Sequence, residues 1–270
     1  MSAPTPRTAL LAAVERSPQA TAAHDRAAWV GLFSADGQVQ DPVGSRPHVG
    51  HDAIERFYDT FIGPRTITFH RDADIVVGNT VLRDLELEVA MGQSVRMRIP
   101  AYLRYDLTGV PGDAADELEI VRLQAYWELP AMIGQFARNG AGAVSAGLGL
   151  TRALLRNQGP GGAVGFLSGL RTGGRRSKRQ VTSVLIDAAS GDELAVRRRL
   201  AEHVQITRGD QARLGLSEFA AAVAGAQVRK VIAAGRFVVA GLNRDGQRAL
   251  VIAEFAPDRP VISALRLFAE

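Results

Sequence analysis

The residues whose types and spacing suit chemistry concentrate in LFSADGQVQDPVGSRPHVGHDAIERFY, residues 32–58 of a 270-residue chain. Asp41 is the central candidate. It follows apolar Val39 and precedes Pro-Val-Gly, which sets it where a strand end meets a turn. A carboxyl in such partly apolar surroundings has its pKa raised by desolvation. It would suit moving a proton from one carbon to another, a step that needs neither metal nor nucleotide. The plain alternative is an aspartate that caps its own turn. Tyr58 reads from its spacing as a core tyrosine. Ser17, Trp29, Phe33, Phe57, Phe61 and Tyr126 are the expected pocket residues, with core packing as the alternative for the aromatic ones, and alternation forbids Tyr126 and Trp127 from facing the same cavity.

Other polar groups are weaker. His24-Asp25 opens a helix, with a local cap as the simple role for Asp25. His48 and His51 lie three apart and would need a third ligand to hold a metal; none stands nearby in sequence, so neither a metal nor a cofactor is expected. Arg96, Arg98 and Arg104 share one face of a strand and would suit an acidic substrate or, more simply, a solvated or interdomain face.

The elements that must position these residues follow from periodicity. Leu10, Leu11 and Val14 give a short helical stripe, expected to end near Pro18. A second helix is expected over 21–33, with Trp29, Val30 and Phe33 on one face. In HDAIERFYDTF, Ile54, Phe57, Tyr58 and Phe61 recur at helical spacing before Gly63-Pro64 stops them. The period then becomes two. Val95, Met97, Ile99, Ala101, Leu103 and Tyr105 alternate with Arg96, Arg98, Tyr102 and Arg104, and ELEIVRLQAYWEL closes the series as half-buried antiparallel strands. Helices followed by a curved antiparallel sheet make an α+β domain over residues 1–130.

Residues 131–180 read as a glycine-rich basic linker or helical arm, with eight basic residues and no acid. The stretch 134–180 would pack as a hairpin over a domain, or make a weak membrane-surface or protein contact. GGRRSKR at 173–179 is expected to be its exposed end. Residues 181–270 repeat the first plan in shortened form: a helix over 181–200, an extended EHVQITRG, a helix at LSEFAAAVAG, and four strands with Asp245-Gly246 as a hairpin signal. This is expected to be a degenerate second copy.

Composition narrows the classes. The chain has no cysteine, which excludes disulfides, thiolate zinc sites and cysteine nucleophiles. Its net charge of +4 comes from the middle segment, since residues 1–130 sum to −6, so nucleic-acid binding by a whole domain is not expected. No Walker or dinucleotide motif occurs, and Ser145 in AVSAG is not a nucleophile elbow. No secretory leader or membrane-spanning stretch is read, so a cytoplasmic location is expected.

The Asp-Pro-Val-Gly tetrad, the Pro-x-x-Gly after it and the Ile-x-x-Phe-Tyr helix resemble the Δ5-3-ketosteroid isomerase branch of the superfamily that holds nuclear transport factor 2 and the SnoaL-like polyketide cyclases. The likeness covers about residues 8–130 and implies the cone-shaped nuclear transport factor 2-like fold, here duplicated. It implies Asp41 as general base of a proton transfer on a steroid or other apolar carbonyl compound. The isomerases add an oxyanion hole built from a tyrosine and a protonated aspartate. Ser17 stands at the tyrosine position and is a poor substitute; Tyr58 matches a further tyrosine that in some isomerases hydrogen-bonds towards the oxyanion hole, and the resemblance makes it a candidate donor. The aspartate position falls on Tyr102 in one register and on Ala101 in the other, and a one-residue slip swaps faces. A related epoxide-opening family uses Asp-Arg-Asp, which Asp41 with Arg98 and another acid would imitate. Such domains pair as dimers, so a homodimer or an intramolecular pseudo-dimer is implied. The expected function is steroid isomerase-like proton transfer; the alternatives are a carrier of apolar ligands and an accessory scaffold.

Overall fold

The computed structural model describes residues 5–92, 95–109, 118–138, 152, 156–157 and 174–270. They form two compact units, one spanning Met1–Asp74 and Asn79–Leu170, the other Ile75–Gly78 and Arg171–Glu270. Of the arm expected over 131–180, residues 139–151, 153–155 and 158–173 lie outside the described residues.

The first unit runs α1 (Arg7–Ala22), α2 (Arg26–Val30), β1 (Phe33–Gln40), β2 (His48–Val49), α3 (His51–Phe57) with a π-helical turn over Tyr58–Ile62, β3 (Thr66–Val77), β4 (Thr80–Met91), β5 (Val95–Gly109), β6 (Leu118–Tyr126) and α4 (Leu129–Ala137). Its six strands are ordered β2-β1-β6-β5-β4-β3. Pro18 does not end α1 as expected. The helix continues to Ala22 because Ser17, Pro18, Ala20 and Thr21 are all buried, and tertiary packing outweighs the lost hydrogen bond. The second helix is accordingly short and begins at Arg26, where Asp25 accepts the Ala28 N–H at 2.9 Å.

The sheet is antiparallel except between β1 and β6, which run parallel with Val39 opposite Leu123. The chain crosses to the far sheet edge after β2, and the β3–β6 meander returns it beside β1 in the same direction. Register fixes the faces. Leu85 pairs with Ala101, Leu87 with Ile99 and Val89 with Met97, so these side chains share one face. Tyr105 lies on it too and shares a hydrogen bond with Ser17 of α1, which identifies it as the helix-covered face. Trp29, Phe33 and Phe57 fill the space between, each buried to within 2% of complete. Each such side chain contributes about 1.5–3 kcal/mol by burial.

The second unit runs α5 (Gly174–Ala189), α6 (Glu193–Arg199), β7 (Leu200–Arg208), β8 (Ala212–Arg213), α7 (Leu216–Val223), β9 (Gln227–Ala234), β10 (Phe237–Arg244), β11 (Gln247–Phe255) and β12 (Ile262–Ala269). Its sheet order, β8-β7-β12-β11-β10-β9, reproduces the first, including the parallel β7–β12 pair. Two modules with the same element order and strand order are consistent with duplication. The single helix expected over 181–200 is two helices broken at Gly191, whose φ of +80° favours glycine. The GGRRSKR run read as a linker end is instead helical from Gly174. Among the described residues no helix is long and apolar enough to cross a membrane.

Candidate active site

Asp41 is the first residue beyond β1, joined to Pro42 by a cis peptide bond. Its turn is tied down from several sides. The Val43 N–H donates to the Ala125 carbonyl at 2.8 Å, the Ser45 hydroxyl to the Pro42 carbonyl at 2.6 Å, and the Gln40 amide to the Ser45 carbonyl at 2.9 Å. These bonds hold Asp41 at the edge of a cavity of about 100 Å³ on the helix-covered side of the sheet.

The cavity wall comes mainly from the far halves of β4 and β5, through Leu87, Val89 and Ile99 with Met91 and Met97; Met132 of α4 and Phe61 add to it. The polar part consists of Asp41, Arg65 and Trp127. The Trp127 indole N–H donates to Asp41 Oδ1 at 2.5 Å. Arg65 follows the π-turn and is 8% exposed. Its Nη1 donates to the Thr60 carbonyl at 2.7 Å, and its guanidinium lies 5.9 Å from the centre of the Phe61 ring.

Burial governs the titration of both charged groups. It pushes the Asp41 carboxyl up to about 6, against the opposing pull of the Trp127 hydrogen bond and the Arg65 charge. Although half-buried by surface area because it borders the cavity, Asp41 has its carboxyl in a mostly apolar setting. Burial also brings Arg65 down to about 10, which leaves it a cation at neutral pH. A carboxyl near 6 is mostly ionised at neutral pH and still basic enough to hold a proton briefly, fit to take one up and give it back.

Of the residues singled out in the sequence, Asp41 and Phe61 border this cavity. Ser17, Trp29, Phe33, Phe57 and Tyr58 form a separate packed cluster. Trp29 lies 4.9 Å from Phe33, 6.1 Å from Phe57 and 5.6 Å from Tyr58 between ring centres, and its indole donates to Ser17 Oγ at 3.2 Å. Phe61, 5.1 Å from Phe57, links cluster and cavity. The Tyr58 hydroxyl is buried, has no hydrogen-bond partner among the described residues and lies outside the cavity lining.

Tyr102 and Tyr126 require correction. They pair across β5 and β6 on the face opposite Ala101 and Ile99, so neither reaches Asp41. The register is the one that sets Ala101 on the helix side. Of this neighbouring pair Trp127, not Tyr126, borders the cavity, as strand alternation allows for only one of them. Arg104 is buried on the same far face against Asp106 at 2.9 Å, while Arg96 and Arg98 are exposed and bridge to Glu88 and Glu86 at 3.3 and 3.4 Å. Arg98 therefore does not join Asp41 in an Asp-Arg-Asp arrangement. His51 contacts the Phe33 carbonyl at 2.8 Å and His48 packs 5.0 Å from the Phe57 ring; no cluster of three metal-binding side chains occurs among the described residues.

Sequence reasoning missed Arg65 and the three methionines. Met91, Met97 and Met132 are every methionine of the chain apart from Met1, so composition carried a signal. Arg65 carried none, because it follows Gly63-Pro64 and reads as an ordinary loop charge.

Residues 14–108 match the family described as the SnoaL-like domain. The match falls on the first sheet and its helices, and the second unit repeats that strand order. Among solved structures, the Δ5-3-ketosteroid isomerase from Mycobacterium sp. aligns at 26% identity and a TM-score of 0.40, over 46% of this chain and 96% of that one. RV0760c from Mycobacterium tuberculosis aligns at 22% identity and a TM-score of 0.40, over 47% and 96%. A putative SnoaL-like polyketide cyclase from Shewanella putrefaciens CN-32 aligns at 15% identity and a TM-score of 0.41, over 50% and 98%. At these scores the alignments assign no activity. No curated protein matches the chain.

Proposed function

We propose that the first unit catalyses proton transfer between carbon atoms of an apolar carbonyl compound, with Asp41 as the base. The observation that carries this reading is a carboxyl raised to about 6 at the edge of an apolar cavity, with one oxygen held by an indole N–H. With Oδ1 occupied by Trp127, Oδ2 is the oxygen left to meet substrate. It removes the proton α to the carbonyl, negative charge passes to the carbonyl oxygen, and the protonated carboxyl returns the proton to the γ-carbon. Atoms and charge balance without a co-reactant. The cavity of about 100 Å³ is well below the roughly 300–1,000 Å³ usual for ligand pockets, which favours a compact substrate over a four-ring steroid.

Conversion of 3-cyclohexenone to the conjugated 2-cyclohexenone, followed by ultraviolet absorbance, tests the reading. Conversion of 5-androstene-3,17-dione to its conjugated 4-ene product, run beside it, tests the size argument. Turnover of the small enone that disappears in Asp41→Asn supports the proposal. Turnover unchanged in Asp41→Asn sinks it. Quenching of tryptophan fluorescence by either ketone, without turnover, would replace it with a carrier of apolar ligands.

A further inference from the structure

Proton abstraction next to a carbonyl places negative charge on the carbonyl oxygen, and the site needs donors there. The two positions where the fold would offer them are unavailable. Ser17 is engaged with Trp29 and Tyr105, and Tyr102 lies on the other face of the sheet. A different group in the same cavity has the right charge.

The first unit treats its other buried arginines in one way. Arg83 binds Asp74 at 2.8 Å and Glu15 at 2.9 Å, and Arg104 binds Asp106 at 2.9 Å. Arg65 is also buried, yet among the described residues it forms no ion pair, although Asp41 borders the same cavity and their charges act on each other. A buried cation without a direct counter-ion carries a large desolvation cost. Among the described residues its guanidinium meets the Thr60 carbonyl and the Phe61 ring, which leaves donors on a side chain that lines the cavity. Base and cation thus share a cavity without quenching each other, an arrangement that keeps both ready for a ligand between them.

We propose that Arg65 is the catalytic oxyanion-binding residue of this site, and that the substrate is a compact enolisable ketone whose oxygen meets Arg65 while its apolar remainder lies against Met91, Met97 and Met132. This rests on the proton-transfer reading above. Arginine suits the task because it donates hydrogen bonds without surrendering its proton.

The test uses the full chain and 4-nitrophenol, whose phenolate resembles the enolate and absorbs distinctly. Asp41→Asn, which imitates the protonated base, is compared with Asp41→Asn/Arg65→Met and Asp41→Asn/Arg65→Lys, below the pH at which free 4-nitrophenol ionises. The expected result is bound phenolate in Asp41→Asn, its loss with Arg65→Met and partial retention with Arg65→Lys. In the otherwise unaltered chain, Arg65→Met should lower kcat for 3-cyclohexenone about 100-fold or more, with a smaller change in KM. Arg98→Met serves as the exposed-arginine control and should change neither readout. Equal phenolate binding with and without Arg65, or no phenolate bound in any of these proteins, overturns the inference. So does full turnover by a folded Arg65→Met protein whose activity Asp41→Asn abolishes, and that result leaves the role of Asp41 standing.

Discussion

The two units share a strand order and differ in what their sheets enclose. In the first, the β4–β5 hairpin outruns its neighbour. The last β5 residue paired with β6 at that end is Tyr102, so the seven residues Val95–Ala101 project beyond β6. In the second, the corresponding β11 projects by two residues, Gln247 and Arg248, beyond its pairing with β12. The cavity wall of the first unit is mainly that projection, which the second unit shortens to two residues. The turns differ in the same sense. Seven residues, Asp41–Pro47, join β1 to β2, whereas three, Gly209–Gln211, join β7 to β8. The residue just past β7 is Gly209, and the interior of that unit is a continuous apolar core around Val181, Val184, Phe219 and Leu265. The same strand order thus borders a cavity where a hairpin and a turn are long, and closes on apolar core where they are short.

The contrast can be broken most sharply by removing the acid. Asp41→Asn should lower enone turnover by about 10³-fold, within the range for loss of a general base. Next in size, Phe219→Ala should destabilise the second unit by about 3–5 kcal/mol, seen as an earlier thermal transition. Enone turnover below that transition should be unchanged if that unit carries no chemistry.

The third prediction concerns pH. Turnover should rise as Asp41 ionises through about pH 6 and level off above it. Stability runs the opposite way. A folded pKa above the unfolded value means that the native state binds the extra proton, so stability is full below about pH 4 and falls as pH rises through 6. The loss is at most about 3 kcal/mol, less for a group that borders a cavity. Asp41→Asn should therefore raise the urea midpoint at pH 8 and give no gain at pH 4. The smallest effect is expected from Trp127→Phe. Without the indole donor the carboxylate is less favoured, and the midpoint of the pH–rate profile should move upward by roughly one unit.

Much of this was legible in the residues. The helical spacing of Ile54, Phe57 and Phe61 and the alternation along β5 are one-dimensional records of a buried face, so the α+β plan could be read directly. Asp41 was legible because Asp-Pro-Val-Gly marks a turn at a strand end. The parallel β1–β6 pair was not, since strand direction depends on where the chain returns after four further strands. Tyr102 turned on a one-residue register, which pairing with β4 and β6 settles and sequence alone leaves open. Met132 was read as part of an arm, whereas α4 lies against β5, its Gln135 amide bonded to the Arg98 backbone N–H and carbonyl at 3.1 and 2.8 Å. That amide occupies the place a further strand would have taken beside the projecting hairpin.

The methionine lining gives the chain a set of built-in reporters. Labelled at the methionine methyl carbon, this protein would show four methyl resonances, and all but that of Met1 would arise from the cavity. Unbranched thioether chains also adapt readily to the shape of what they touch. Each compound offered to the site would then write its own pattern of shifts on three neighbouring signals, in a spectrum with almost nothing else in it.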